Sequence, residues 1–165
     1  VLGRAAPVDI AVCAAAVGDW RVKTPLAHKI KKSDGEKGAE GPQLSFTENP
    51  DILRAIAGAG AKRPRLVVGF AAETANLIDN AKAKLADKGC DWIVANDVGA
   101  GAEVFGAEEN TGHLVTEDGV EAWPKMTKTD LARRLAERIA DALGRQDKKG
   151  AVRRLDEVRP KKRSG

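Results

Sequence analysis

The chain contains no tyrosine, three phenylalanines, three tryptophans, one methionine, two cysteines and two histidines. Each scarcity closes off something. With aromatics at only 4% of 165 residues, the core has to be assembled mainly from Ala, Val, Leu and Ile. Cys13 and Cys90 have no metal-ligand spacing, and two cysteines do not make a disulfide framework. Both stand in apolar surroundings, so they read as buried free thiols of a reducing, cytoplasmic compartment. His28 and His113 have no carboxylate or cysteine at ligand spacing, which leaves the protein side chains no metal-binding role. No apolar run approaches the roughly 20 residues of a membrane-spanning helix, and no signal peptide is expected. There is no Walker A loop, no G-x-G-x-x-G and no Ser-His-Asp order.

What is present fits one compact domain with a genuine core, since hydrophobic residues make up 42% of the chain. The formal charge of +4 is unevenly placed: from Lys148 to Gly165 eight basic residues face two acidic ones, and the remaining body is slightly acidic. We therefore read residues 1–146 as the functional body and 147–165 as a basic, disordered tail. The basic pI says little about what the body binds, and no nucleic-acid partner is expected. The chain opens on Val1 and its only methionine is Met126, as expected of a segment cut from a longer protein.

The patterning is that of an α/β protein. Val8 to Val17 is an apolar run rich in β-branched residues and reads as a strand buried on both faces. Residues 21–43 are polar and glycine-bearing, a loop of functional length. A short strand over 44–47 precedes Asn49-Pro50-Asp51, where Asn49 reads as the N-cap and Pro50 as the first helical position of a helix ending near Gly58. Strands over 65–70 and 91–95 flank a helix from about 74 to Lys88, stopped by Gly89. Residues 96–110 look irregular; 113–116 and 120–123 flank Asp118-Gly119, a hairpin signal. A final amphipathic helix runs over 127–143. Alternating strands and helices predict a Rossmann-like, three-layer α/β/α fold with a mostly parallel sheet and a small hairpin extension.

In such a sheet, ligands bind beyond the carboxyl ends of the strands. Gly18-Asp19, Gly69 to Thr74 and Ala95 to Val98 each follow an apolar run, and all three are expected to face one crevice. The basic stretch His28-Lys29-Ile30-Lys31-Lys32 opens the long loop, where lysines can close over a polyphosphate. Lys84 and Lys88 share a helical face, and the helix beginning near Pro50-Asp51 offers free backbone N–H groups. Taken singly, each feature has a plainer meaning: a capped turn, a solvated loop, an exposed helix face, an Asx turn. The residues by themselves stop at an anion-binding α/β domain with a lysine-bearing loop.

Their order is more specific. Ala14 to Arg21 (AAAVGDWR), Lys29-Ile30-Lys31-Lys32, Asn49-Pro50-Asp51-Ile52-Leu53, Val68 to Thr74 (VGFAAET) and Ala95-Asn96-Asp97-Val98 succeed one another in a way that closely resembles the CTP-binding half of the bacterial phosphopantothenoylcysteine synthetases, over about residues 7–143. In bacteria that domain is usually fused behind a decarboxylase, which carries FMN outside this segment. The resemblance implies ligation of 4′-phosphopantothenate to L-cysteine through an acyl cytidylate made from CTP with Mg²⁺. By the same resemblance Cys13, Ala14, Ala15, Pro50, Asp51, Ile52 and Leu53 contact the nucleotide, and Asp19 holds it at the ribose or through the metal. Lys29 is the catalytic, phosphate-binding lysine. Phe70 packs by the cytosine, and Lys84 and Lys88 are further nucleotide-binding positions. Residues 31–43 look like the family's flap, which orders when the acyl cytidylate forms. Family members also dimerise through this domain. The family's first βαβ part, with a Gly-rich turn and an asparagine-bearing segment, has no counterpart here. Gly18 and Trp20 also replace a more usual Ala and Tyr or Phe. Activity is thus expected of the gene product rather than of this segment alone. The alternative, a Rossmann-like redox domain binding a dinucleotide, lacks its glycine fingerprint.

Overall fold

A computed structural model describes residues 8–25, 43–97 and 109–158. In chain order the elements are β1 (Ile10–Cys13), β2 (Trp20–Val22), β3 (Phe46–Glu48), α1 (Ile52–Ala57), β4 (Leu66–Glu73), α2 (Leu77–Lys88), β5 (Trp92–Asp97), β6 (Glu109–Asn110), β7 (Gly112–Thr116), β8 (Gly119–Ala122), β9 (Met126–Thr127) and α3 (Lys128–Val158), with a 3₁₀ turn over Gly60–Lys62. The main sheet has the order β1-β4-β5-β7-β8. β1, β4 and β5 run parallel, and the β7–β8 hairpin continues the sheet antiparallel.

Alternation along the strands explains the layers. Val67, Ala71, Ile93, Ala95 and Val115 turn to one face, where they pack with Ala57, Ala81, Leu53, Leu77 and Leu85 of α1 and α2. Leu66, Val68, Val94 and Leu114 turn to the other, against Trp123 and against Leu131, Leu135 and Ile139 of α3. With both faces covered, the apolar runs of β4 and β5 need no polar alternation, and the result is a three-layer α/β/α fold. Each fully buried aliphatic side chain contributes about 1.5–3 kcal/mol. Asp91 locks the parallel pair together: its carboxylate accepts the Val67 N–H at 2.7 Å and pairs with Arg63 at 2.9 Å.

Several boundaries differ from the sequence reading. The first strand spans only Ile10–Cys13, not 8–17: its pairing with β4 ends at Cys13 opposite Gly69. The stretch read as a loop from 21 onward begins inside a strand: Trp20–Val22 pairs with Phe46–Glu48 in a separate two-stranded ribbon. Three-residue strands are too short to show a period. β4 continues to Glu73 and β5 to Asp97, through residues read as the polar ends beyond the strands. The N-cap of α1 is Asp51, whose side chain accepts the Arg54 N–H at 2.9 Å; Asn49 is not the cap, and Pro50 lies before the helix. α2 starts at Leu77 behind Asn76, a left-handed residue at φ 50. α3 runs past Leu143 to Val158, through part of the segment read as a tail. Cys90 is buried, and burial pushes its thiol up to about 11. Cys13 is only half-buried, so it is not the core thiol that its neighbours in sequence imply.

Candidate nucleotide cleft

A cleft of about 1020 Å³ opens beyond the end of β1, walled by the segment 14–20, the start of α1 and the C-terminal half of α2. Cys13, Ala14, Ala15, Asp19, Pro50, Asp51, Ile52, Leu53, Phe70, Lys84 and Lys88 all line it. Residues spread across some seventy positions of sequence are therefore neighbours, because β1 ends at Cys13 opposite Gly69 of parallel β4, next to Phe70, and α1 and α2 flank this point. Lys29, Lys31, Lys32 and the rest of the lysine loop lie outside the described residues.

Asn49 ties the two lips together. Its backbone N–H donates to Asp19 O at 2.7 Å, and its amide Nδ2 donates to Gly18 O at 2.6 Å. Arg21 in turn donates to Glu48 O at 2.8 Å and to Asn49 Oδ1 at 3.1 Å. A residue that reads as a helix cap from sequence is thus the clasp that fixes Asp19 against α1.

A second network crosses from α1 to α2. Lys88 Nζ stands 2.8 Å from Asp51 and 3.0 Å from Asp87, and Arg54 reaches Asp87 at 2.6 Å. Burial pushes the Asp51 carboxyl up, but the Arg54 N–H and the Lys88 ammonium outweigh it, and the net displacement is downward. Lys88 is raised by its hydrogen bonds to Asp51 and Asp87. The hydrogen bonds from Lys88 and Arg54 lower Asp87. Burial, then the Asp51 charge, raises the Cys13 thiol, so it stays protonated at neutral pH. Lys84, one helical turn before Lys88, has neither a hydrogen bond nor an ion pair among the described residues.

Arg54, Asp87, Glu48 and Asn49 line the cleft as well, and only Asn49 stood out in the sequence, for another role. The i,i+3 spacing of Asp51 and Arg54 was a legible signal for the first; Asp87 gains its meaning only when α2 docks beside α1. Among the described lining residues, Asp19, Glu48, Asp51 and Asp87 outnumber the cations Arg54, Lys84 and Lys88. A polyphosphate seated here calls for added positive charge, from the lysine loop or from a cation travelling with it. No group of three or more His, Cys, Asp or Glu side chains able to hold a metal ion occurs among the described residues.

The three strand ends do not meet in one crevice as expected. Asn96 of β5 lies instead in a second cavity of about 470 Å³, against Leu131, Leu135 and Ile139 of α3. It sits on the α3 side of the sheet because it falls two residues after Val94, whose side chain packs there. Val12, Ala14 and Phe70 border both cavities. No helix among the described residues is long and apolar enough to cross a membrane.

Residues 1–143 match the family model described as "DNA/pantothenate metabolism flavoprotein C-terminal domain". The chain is 40% identical over 139 residues to the coenzyme A biosynthesis bifunctional protein CoaBC of Bacillus subtilis, an alignment covering 84% of this chain and 32% of that protein. It is 39% identical over 133 residues to the CoaBC protein of Haemophilus influenzae, covering 81% and 32%. It thus spans about a third of the length of these curated relatives. The crystal structure of the C-terminal domain of a CoaBC protein superposes with a TM-score of 0.60 at 29% identity, over 83% of this chain and 58% of that one. A DNA/pantothenate metabolism flavoprotein from Streptococcus pneumoniae has the same fold, with a TM-score of 0.60 at 22% identity over 85% and 64%.

Proposed function

The chain belongs to the DNA/pantothenate metabolism flavoprotein C-terminal domain family, and from that premise we propose that it carries the CTP-binding part of a phosphopantothenate–cysteine ligase of coenzyme A biosynthesis. The observation that supports this best is the cleft, which gathers eleven residues singled out for nucleotide contact, from Cys13 to Lys88. In this reading a carboxylate oxygen of 4′-phosphopantothenate attacks the α-phosphorus of CTP and pyrophosphate leaves. The cysteine amine then attacks the acyl carbon, CMP leaves with the bonding pair, and an amide forms.

The chain's own residues divide the work. The 13–15 segment and the 50–53 turn bound the nucleotide, largely with backbone, and Phe70 offers the cytosine an apolar face. Asp19 accepts from the ribose hydroxyls or faces the cation. Lys84, which has no partner among the described residues, meets the triphosphate directly, and Lys88 does so by leaving Asp51. Lys29 supplies charge to the phosphorus being attacked. Mg²⁺ arrives with the nucleotide as part of the substrate. FMN belongs to a decarboxylase part of the parent protein, outside these residues.

We further read the protein as a homodimer. Trp20 and Phe46 on the β2–β3 ribbon are 60% and 57% exposed, with Val17 and Leu44 beside them in sequence, an apolar surface of the kind that marks an interface.

The test is calorimetric titration of CTP into this chain and into the full-length protein, followed by pyrophosphate release. Saturable CTP binding is expected, with pyrophosphate released by the full-length protein only when 4′-phosphopantothenate is present. Lys29→Gln is expected to slow that release at least tenfold with the fold intact. Binding of NAD(P)H in place of CTP overturns the assignment.

A further inference from the structure

The nucleotide reading leaves two charged residues of the cleft, Arg54 and Asp87, without a role. Asp87 gives one carboxylate oxygen to each of two cations: Oδ1 lies 2.6 Å from Arg54 Nη2, and Oδ2 lies 3.0 Å from Lys88 Nζ. Asp51 completes the group, 2.8 Å from Lys88 Nζ and 3.7 Å from Arg54 Nε. All four residues line the cleft. The two acids differ in kind. Asp51 is the N-cap of α1 and has a structural reason to be there. Asp87 stands in the last turn of α2, where the negative end of a helix disfavours a carboxylate. Its side-chain partners among the described residues are Arg54 and Lys88. Helix stability does not account for it, whereas the two cations do.

We propose that Arg54 is a further phosphate-binding residue of this cleft, and that Asp87 is the counter-ion which Arg54 and Lys88 exchange for the phosphates of CTP; the proposal rests on the ligase reading above. Position carries the first half. Arg54 reaches across from α1 to a residue that adjoins Lys88 and lies three positions after Lys84, so its guanidinium comes to the same stretch of α2 as the two lysines. Its planar fork suits two phosphate oxygens at once. Exposure carries the second half. The Arg54 and Asp87 side chains are 55% and 50% exposed, and an ion pair that open to water holds its cation weakly. A triphosphate, with several negative charges against the single one of Asp87, draws both cations away. Asp87 then remains beside them as a negative charge that weakens the grip on the phosphates. It is a positioning residue that sets affinity and touches no substrate.

The test is calorimetric titration of the full-length protein with CTP and with cytidine, which has the base and ribose but no phosphate. Arg54→Gln is expected to weaken CTP binding about tenfold, the effect of lost hydrogen bonds from a charged donor. Asp87→Asn keeps the shape and removes the charge; it is expected to tighten CTP binding about threefold, as two exposed ion pairs no longer compete. Neither change is expected to move cytidine affinity. A strut joining α1 to α2 and nothing more would give a different result: both variants would lose stability in urea, and both ligands would be affected alike. Unchanged CTP affinity in Arg54→Gln, unchanged or weaker CTP binding in Asp87→Asn, or an equal change for cytidine and CTP overturns the inference while the ligase reading stands. Failure of the wild type to bind CTP overturns that reading, and this inference with it.

Discussion

The ammonium of Lys88, at the end of α2, lies 2.8 Å from the carboxylate of Asp51, the N-cap of α1. One residue thus caps a helix and holds a cation of the other wall of the cleft. A phosphate that recruits Lys88 has to compete with Asp51 and with Asp87, whereas Lys84 has no ion pair to give up among the described residues.

This pairing predicts a specific pattern of stability. Asp51→Ala removes the cap and is expected to cost about 1 kcal/mol. Asp51→Asn keeps a capping oxygen and loses mainly a partly exposed ion pair, less than about 1 kcal/mol. Because the Asp51 pKa is lowered in the fold, its charge contributes stability above the unfolded carboxylate value of about 3.9, and that contribution disappears as pH falls through the lower folded value. Lys88 is raised, so its contribution is complete below about 10.4 and fades as pH climbs through its higher folded value. Urea unfolding of wild type and Asp51→Asn should therefore differ most between about pH 5 and 9, with the gap closing in acid.

Gly69 is required for the close approach of α1 to the sheet. A β-carbon there would lie 2.5 Å from Leu53 Cδ2 and 2.9 Å from Ile93 Cδ1. Gly69→Ala must shift the methyl ends of Leu53, which lines the cleft, and of Ile93. The expected cost is about 1–3 kcal/mol of overpacking. CTP affinity should fall as well, read by titration at a temperature where the variant remains folded.

The exposed ribbon predicts the behaviour of the assembly. Trp20→Ser together with Phe46→Ser removes two large apolar side chains that are 60% and 57% exposed. Sedimentation analysis should show dimer for the wild type and monomer for the double variant, with the unfolding transition of the monomer little changed. A dimer that persists in the variant assigns the interface to another face.

The strongly apolar strands β4 and β5 and helix α2 were legible in the sequence because burial on both faces leaves continuous Val, Ile and Ala runs, and Gly89 at φ 64 marks a helix end by its left-handed backbone. The ribbon was not, since Trp20–Val22 makes sense only opposite Phe46–Glu48, more than twenty residues on. Asn49 shows the same limit. Asn-Pro-Asp announces a helix start from local chemistry alone, but which of Asn49 and Asp51 faces the Arg54 N–H depends on the clasp to Gly18 and Asp19.

The sequence by itself determined the class of fold, because hydrophobic period and turn chemistry are local properties, and the order of its short motifs, by resemblance, named eleven of the residues that line the cleft. Only the tertiary structure decided that Lys88 is already paired with Asp51, that Arg54 and Asp87 join them, and that Asn96 opens into a separate cavity. Those outcomes depend on which face of the sheet a side chain takes and on how two helices dock. A one-residue change of register would reverse the first, and contacts between residues far apart in the chain set the second.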